Sequence, residues 1–228
     1  MSEPLVSVVM PAFEEEAFIA EALGSVLAQT YRPVEIIVVD DGSSDRTAEI
    51  AAAHDVRLVR RPHRGSAAAR NAGLAVARGE YWTIVDADDV MPPEGLWGQV
   101  AHLQQHPELG IVFGLTEAFV TPGEPRPPHY SRAWEHGPFP WHPTTILARR
   151  EVLDLVGPFD ETRRLGEDID WLARARNAGV RVGRADHVAR RYRVHAGNAS
   201  SDPHANQRAM LNVLRESVRR RRLLGDDD

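Results

Sequence analysis

The chain predicts an α/β fold, with a mostly parallel central sheet flanked by helices. Three observations carry this. Short β-branched runs recur through the first 90 residues, at Val6–Met10, Glu35–Val39, Val56–Val59 and Tyr81–Val85. Segments with helical spacing separate them, and strands alternating with helices give a parallel sheet covered on both faces. The runs also stop in polar residues: Pro11-Ala12-Phe13-Glu14, Asp40-Asp41-Gly42 and Asp86-Ala87-Asp88-Asp89. In an open α/β sheet such strand ends share one rim, where ligands bind.

Taken in order, Val6–Met10 is a strand stopped at Pro11, and Ala17–Ala28 places Ile19, Leu23, Val26 and Leu27 on one helical face. Glu35–Val39 is the second strand. Ser44 is expected to cap the next helix, with Asp45 and Glu49 favouring its early turns. Val56–Val59 is the third strand, Ser66–Ala77 an alanine-rich helix closed by Gly79, and Tyr81–Val85 the fourth strand. Beyond residue 92 the rhythm changes. Pro93–His106 reads as helix and Gly110–Phe113 as strand. Thr121–Pro143 holds seven prolines, too long for an ordinary connector and expected to be a binding loop, a lid or a disordered segment. Arg149–Val156 and Glu167–Ala178 are helical, with Gly157 and Gly179 as stops. Val180–Val182 is an edge strand and Pro203–Leu224 a terminal helix. With no repeat and no clear linker, 1–228 is expected to be a single domain with two functional halves.

Composition removes several classes. With 228 residues, 43% of them hydrophobic, a sizeable core is attainable. The net charge of −6 argues against nucleic acid as a partner. No cysteine means no disulfide, thiol nucleophile or thiolate zinc site. All 27 basic residues are arginine, so phosphate-binding and Schiff-base lysines are absent. Met1-Ser2-Glu3-Pro4 lacks a signal peptide's basic segment, and no apolar run nears the ~18 residues that read as a membrane span. A cytoplasmic protein is expected. The basic run Arg219–Arg222 reads as a solvated helix end, or more sharply as weak peripheral attraction to an anionic membrane or acceptor.

The three carboxylates Asp86, Asp88 and Asp89 repel one another unless solvated or neutralised by a divalent cation. A polar turn and a hard-metal site are both open on these residues alone. Phe13 suits support of a base, and an aspartate on the second strand end suits its N–H.

Together these segments resemble the inverting family 2 glycosyltransferases of the GT-A, Rossmann-like fold. The likeness runs from Val6-Ser7-Val8-Val9-Met10-Pro11-Ala12-Phe13-Glu14-Glu15 through Asp40-Asp41-Gly42-Ser43-Ser44-Asp45 and Gly65–Gly73. Asp86-Ala87-Asp88 then matches the family's DXD motif, and Gly166-Glu167-Asp168-Ile169-Asp170 its ED motif. The resemblance implies that about 1–120 binds a nucleotide-diphosphate sugar, with UDP favoured, and about 121–228 binds the acceptor. By position it implies that Pro11, Ala12, Phe13 and Glu14 line the nucleotide pocket and that Asp41 accepts from the base. Asp86, beside Ala87, reaches the ribose or sugar, and Asp88 binds Mg²⁺ or Mn²⁺. Arg70 is a candidate for the phosphate or for orienting the aspartates, against a plain helix-surface salt bridge. Asp168 is the implied general base, Glu167 orients or contacts the acceptor, and Asp170 is structural.

Tyr192-Arg193-Val194-His195-Ala196-Gly197-Asn198 resembles the segment that closes many of these domains. It makes His195 a second metal ligand, and imidazole suits Mn²⁺ better than Mg²⁺. Trp141 and His142 fall where the family lines its acceptor side, which takes a hydroxyl of a saccharide, lipid-linked glycan, natural product or peptide. Rivals fare worse. A dehalogenase-type phosphatase or a nucleotidyltransferase wants a lysine. A dinucleotide oxidoreductase wants a glycine-rich turn where Pro11-Ala12-Phe13 stands. The alternative that stays is a glycan- or peptide-binding module on the same fold without turnover.

Overall fold

Alternation along the first strand builds a core on both faces of the sheet. Val6, Val8, Met10 and Ala12 pack into one apolar layer while Val9 packs into the other. The second strand repeats this, with Ile36 and Val38 on the first side and Ile37 and Val39 on the second. The computed structural model describes residues 3–139, 143–198 and 201–224. In chain order the elements are β1 (Val6–Ala12), α1 (Ile19–Leu27), β2 (Val34–Asp40), α2 (Thr47–Ala52), β3 (Arg57–Arg60), α3 (Ser66–Val76) and β4 (Tyr81–Ile84). They continue with α4 (Gly95–Gln105), β5 (Ile111–Phe119), β6 (Ile146–Arg149), α5 (Arg150–Val156), α6 (Glu167–Asn177), β7 (Val182–Arg193) and α7 (Pro203–Leu224).

The sheet has seven strands in the order β3-β2-β1-β4-β6-β5-β7. β6 runs antiparallel to both neighbours; every other pairing is parallel. The expected mostly parallel sheet is therefore present. Helices α1, α2 and α4 cover one face through Ile19, Leu23, Val26, Ala51, Leu96 and Val100. Helices α3, α5 and α6 cover the other, where Trp82 and Trp171 meet edge to face with ring centroids 5.1 Å apart. β1 lies between β2 and β4, so the chain departs to either side of it and opens a crevice beyond their carboxyl ends.

Five elements differ from expectation. Helix α5 begins at Arg150, because Ile146–Arg149 is spent on strand β6. β5 runs on to Phe119, and β7 covers 12 residues rather than the short Val180–Val182 strand. β7 hides because Arg190 and Arg193 point inward, which breaks the apolar alternation that marks a strand. Ser44 does not cap α2. Its amide and hydroxyl both donate to Glu14, while Asp45 accepts the Thr47 amide at 2.9 Å. The described part of the proline-rich segment packs on the sheet: Phe139 pairs with Thr116 of β5, and Trp134 packs against Phe139, Tyr130 and Tyr192.

Candidate functional site

A cleft of about 710 Å³ lies beyond the carboxyl ends of β1, β2 and β4, within the usual size of a small-molecule site. At one end Pro11, Ala12 and Phe13 follow β1, and Asp41 follows β2. Asp41 is buried. One oxygen accepts the Gly65 amide at 2.7 Å and the Arg64 amide at 3.0 Å. The other has Arg61 Nε 3.1 Å away as an ion pair but accepts no hydrogen bond. Phe13 is 41% exposed, and its ring lies against His63 at a centroid distance of 4.0 Å. His63 has no periodic signal in the loop that carries it.

Glu14 does not line this cleft; Glu15 does. Glu14 has a left-handed backbone (φ 58°), which swings its carboxylate away to Ser44 and turns the next side chain inward. Burial first, then the charges of Asp88, Asp86 and Asp45, push the Glu15 carboxyl up to about 8. A carboxyl raised in the fold from 4.5 favours folding most at low pH, and that contribution fades as pH climbs from about 4.5 to 8. We predict that Glu15→Gln flattens this decline in metal-free protein. Thermal melts across that range in chelator check it; an unchanged slope would show that Glu15 is not the group responsible.

Beyond β4 the aspartates separate in role. Asp88 Oδ2 lies 3.0 Å from His195 Nε2 and accepts from Asn198 Nδ2 at 3.0 Å. Asn198 Oδ1 in turn accepts the His195 amide at 2.7 Å, so the segment after β7 is folded around Asp88. Asp89 is fully buried, so it belongs neither to a solvated turn nor to the open cleft. It accepts the Arg193 amide at 2.9 Å and faces Arg190 at 3.8 Å. Burial, reinforced by Asp88, holds its carboxyl well above the usual range, against the pull of Arg190. Arg193 also donates to the Asp88 carbonyl, which ties the carboxylate turn to β7.

The donor set fits a hard divalent cation. Asp88 Oδ2 and His195 Nε2, 3.0 Å apart, would supply the oxygen and the nitrogen that Mn²⁺ or Mg²⁺ takes from protein. Among the described residues no group of three or more such ligands is assembled. Remaining positions would fall to phosphate oxygens and water, as is usual for Mg²⁺.

Arg70 is not on the helix surface. It is buried, donating to Glu167 Oε1 at 2.9 Å and to Asp86 Oδ1 at 3.3 Å. It therefore clamps α6 to the turn after β4. Glu167 is buried against it, its carboxyl raised by desolvation and held back by Arg70. Asp168 lines the cleft at the start of α6. Burial raises its carboxyl too, with the Arg70 charge and the Ile169 amide opposing. Asp170 faces away and holds Arg174 and Arg220 at 3.0 and 2.9 Å.

The far wall comprises Arg164, Leu165 and Gly166 before α6, and Asn206, Gln207 and Met210 from α7. Trp141 and His142 lie outside the described residues.

The sequence matches the model of the family described as Glycosyl transferase family 2 over residues 7–159. Glycosyltransferase GlyG of Streptococcus pneumoniae serotype 4 is 42% identical over 127 residues, covering 52% of this chain and 42% of that protein. The uncharacterized glycosyltransferase EpsJ of Bacillus subtilis is 29% identical over 222 residues, covering 88% and 64% respectively. The chain thus spans between 42% and 64% of the length of these two relatives. Among solved structures, the mannosyltransferase PcManGT from Pyrobaculum calidifontis, in complex with GDP-Man and Mn²⁺, superposes with a TM-score of 0.75 at 23% identity, over 96% of this chain and 65% of that one. Glucosyl-3-phosphoglycerate synthase from Mycobacterium tuberculosis, in complex with Mn²⁺, UDP and phosphoglyceric acid, gives 0.67 at 23% identity, over 94% and 78%. At such identities the likeness is one of fold.

Proposed function

The chain belongs to glycosyl transferase family 2, a glycosyltransferase on a GT-A fold, and we propose that it is a metal-dependent inverting enzyme that moves a hexose from a UDP-sugar to an acceptor hydroxyl. One observation carries the reading. Asp88, with the His195 imidazole 3.0 Å from its carboxylate, lines one cleft with the half-buried Asp168, whose carboxyl desolvation raises. The halves divide the work, about 1–120 for the donor and about 121–228 for the acceptor.

Asp41, which lines the cleft beside the Phe13–His63 ring pair, would accept the N–H of a uracil-like base. Pro11 and Ala12 form the floor, and Asp86 with Ala87 reaches the ribose or sugar. Asp88 and His195 would hold Mn²⁺ or Mg²⁺, which as a Lewis acid offsets charge on the departing diphosphate. Asp168 accepts the proton of the acceptor hydroxyl as its oxygen attacks the anomeric carbon opposite the diphosphate. The new C–O bond forms while the sugar–phosphate bond breaks. A raised carboxyl is the stronger base for that transfer. Glu167 and Arg70 position rather than react, since each is occupied by the other.

A thermal-shift panel of UDP-, GDP- and dTDP-sugars tests this reading. We expect UDP-sugars with Mn²⁺ to raise Tm, by the stabilisation a ligand bound only to the fold confers. A shift with GDP- or dTDP-sugars alone would overturn the uracil assignment, and no shift with any donor would overturn the reading as a whole.

A further inference from the structure

Helix α7 has 22 residues and two unlike faces. Val213 and Ser217 are buried against the body of the protein, and Asn177 donates to the Ser217 hydroxyl at 3.2 Å. Arg220 reaches Asp170 at 2.9 Å, and Glu216 pairs with Arg163. Roughly a third of a turn round the helix lies a second apolar stripe, and it faces solvent. Met210, Leu211, Leu214 and Val218 are 48, 45, 52 and 39% exposed. Leu214 lies four residues after Met210 and three after Leu211, and Val218 four after Leu214, which places them on one face, as in a helix that buries a stripe. Arg208, Arg215 and Arg219 border this stripe on one side, and Arg221 lies within it; all four are exposed. This cationic edge stands on a chain whose net charge is −6.

An exposed apolar stripe edged by arginine is the composition of a helix that lies in a lipid interface, its apolar side chains sunk below the headgroups. No helix among the described residues is long and apolar enough to cross a membrane, so a surface position is the geometry left to α7 in contact with lipid. A second copy of the chain fits poorly, because an antiparallel two-fold pairing of α7 would bring the two arginine edges together and a parallel one would bring Arg221 against Arg221 within the stripe. An anionic surface complements them. The stripe also begins at the cleft: Met210 belongs to it and lines the far wall together with Gln207 and Arg164.

We propose that the outer face of α7 beds into an anionic lipid surface, so that the acceptor side of the cleft opens toward membrane-borne hydroxyl acceptors. This rests on the glycosyltransferase reading for its second half only; the lipid contact stands on α7 alone.

Flotation of the full chain with vesicles tests it, using phosphatidylcholine alone or with about a third phosphatidylglycerol. The chain should float with the anionic vesicles and at least about tenfold less with the neutral ones. Leu211→Ser/Leu214→Ser/Val218→Ser should lower partition about a hundredfold. Arg215→Gln/Arg219→Gln should lower it about twenty-five-fold, near fivefold for each charge lost. These side chains are exposed and outside the cleft, so both variants should keep the wild-type melting temperature and the wild-type rate of Mn²⁺-dependent UDP-sugar hydrolysis. A wild type that hydrolyses donor but does not float would overturn the lipid proposal and leave the glycosyltransferase reading intact. So would a triple variant that floats like wild type, or a wild-type dimer in light scattering that the triple variant dissolves. A wild type that floats as expected yet shows no thermal shift with any donor in Mn²⁺ would uphold the lipid contact and overturn the enzymatic reading.

Discussion

Asp168→Asn is expected to lower kcat for sugar transfer by about 10²- to 10⁴-fold, the usual worth of a positioned general base, while Mn²⁺-dependent UDP binding stays at the wild-type level. The amide is nearly the same size as the carboxylate and keeps an oxygen for the Ile169 amide, which the carboxylate now binds at 2.7 Å. What it loses is the capacity to take a proton. Burial holds the Asp168 carboxyl above the 3.8 of a free aspartate, so the acidic limb of kcat should lie above that value. The sign follows directly: a protonated Asp168 cannot act as base, so activity rises as pH climbs through its raised value. The same neighbourhood sharpens the test. Arg70 opposes the raised carboxyl and also holds Glu167 and Asp86, so Arg70→Met would disturb three groups at once. Steady-state transfer assays read alongside UDP titrations make the distinction. A near-normal kcat for the asparagine variant would remove Asp168 as the base.

Asp88→Ala should have a comparable effect on a different quantity. It deletes the oxygen that meets both His195 and Asn198, each at 3.0 Å. Outer-shell partners of a metal ligand commonly cost 10- to 100-fold, and loss of the ligand itself should cost at least about 100-fold in Mn²⁺-dependent donor affinity. A second readout separates this from general damage. Asp88 is the largest charge raising Glu15, so the Glu15 carboxyl should titrate lower in the variant. Melts that keep their wild-type pH dependence would contradict the assigned geometry.

The sequence carried much of the first half because each relevant signal there was local. Apolar runs that end in carboxylates marked β1, β2 and β4, and parallel pairing brought Phe13, Asp41 and Asp86 to one rim. What stayed hidden depends on long-range packing or on backbone angles. Arg70 sits on an alanine-rich helix that looks like a surface, yet its guanidinium reaches Glu167, 97 residues on. The exchange of Glu14 for Glu15 turns on one positive φ. Asp89 reads as a polar turn until Arg190 and Arg193, drawn in by β7, bury it. β6 and β7 were missed or shortened for the same reason: four residues of strand run directly into α5, and inward arginines mask the other. His63 occupies a loop whose composition carries no periodicity at all.

On the proposed reading, Asp88 and His195 hold a cation that in turn holds the donor diphosphate. Isothermal titration of UDP into the wild-type chain, with Mn²⁺ and again with chelator, tests it most directly. Saturable UDP binding in Mn²⁺ that collapses in chelator is expected, with binding absent under both conditions in Asp88→Ala. Equal UDP affinity with and without metal, or an Asp88→Ala protein that binds as wild type does in Mn²⁺, would contradict it.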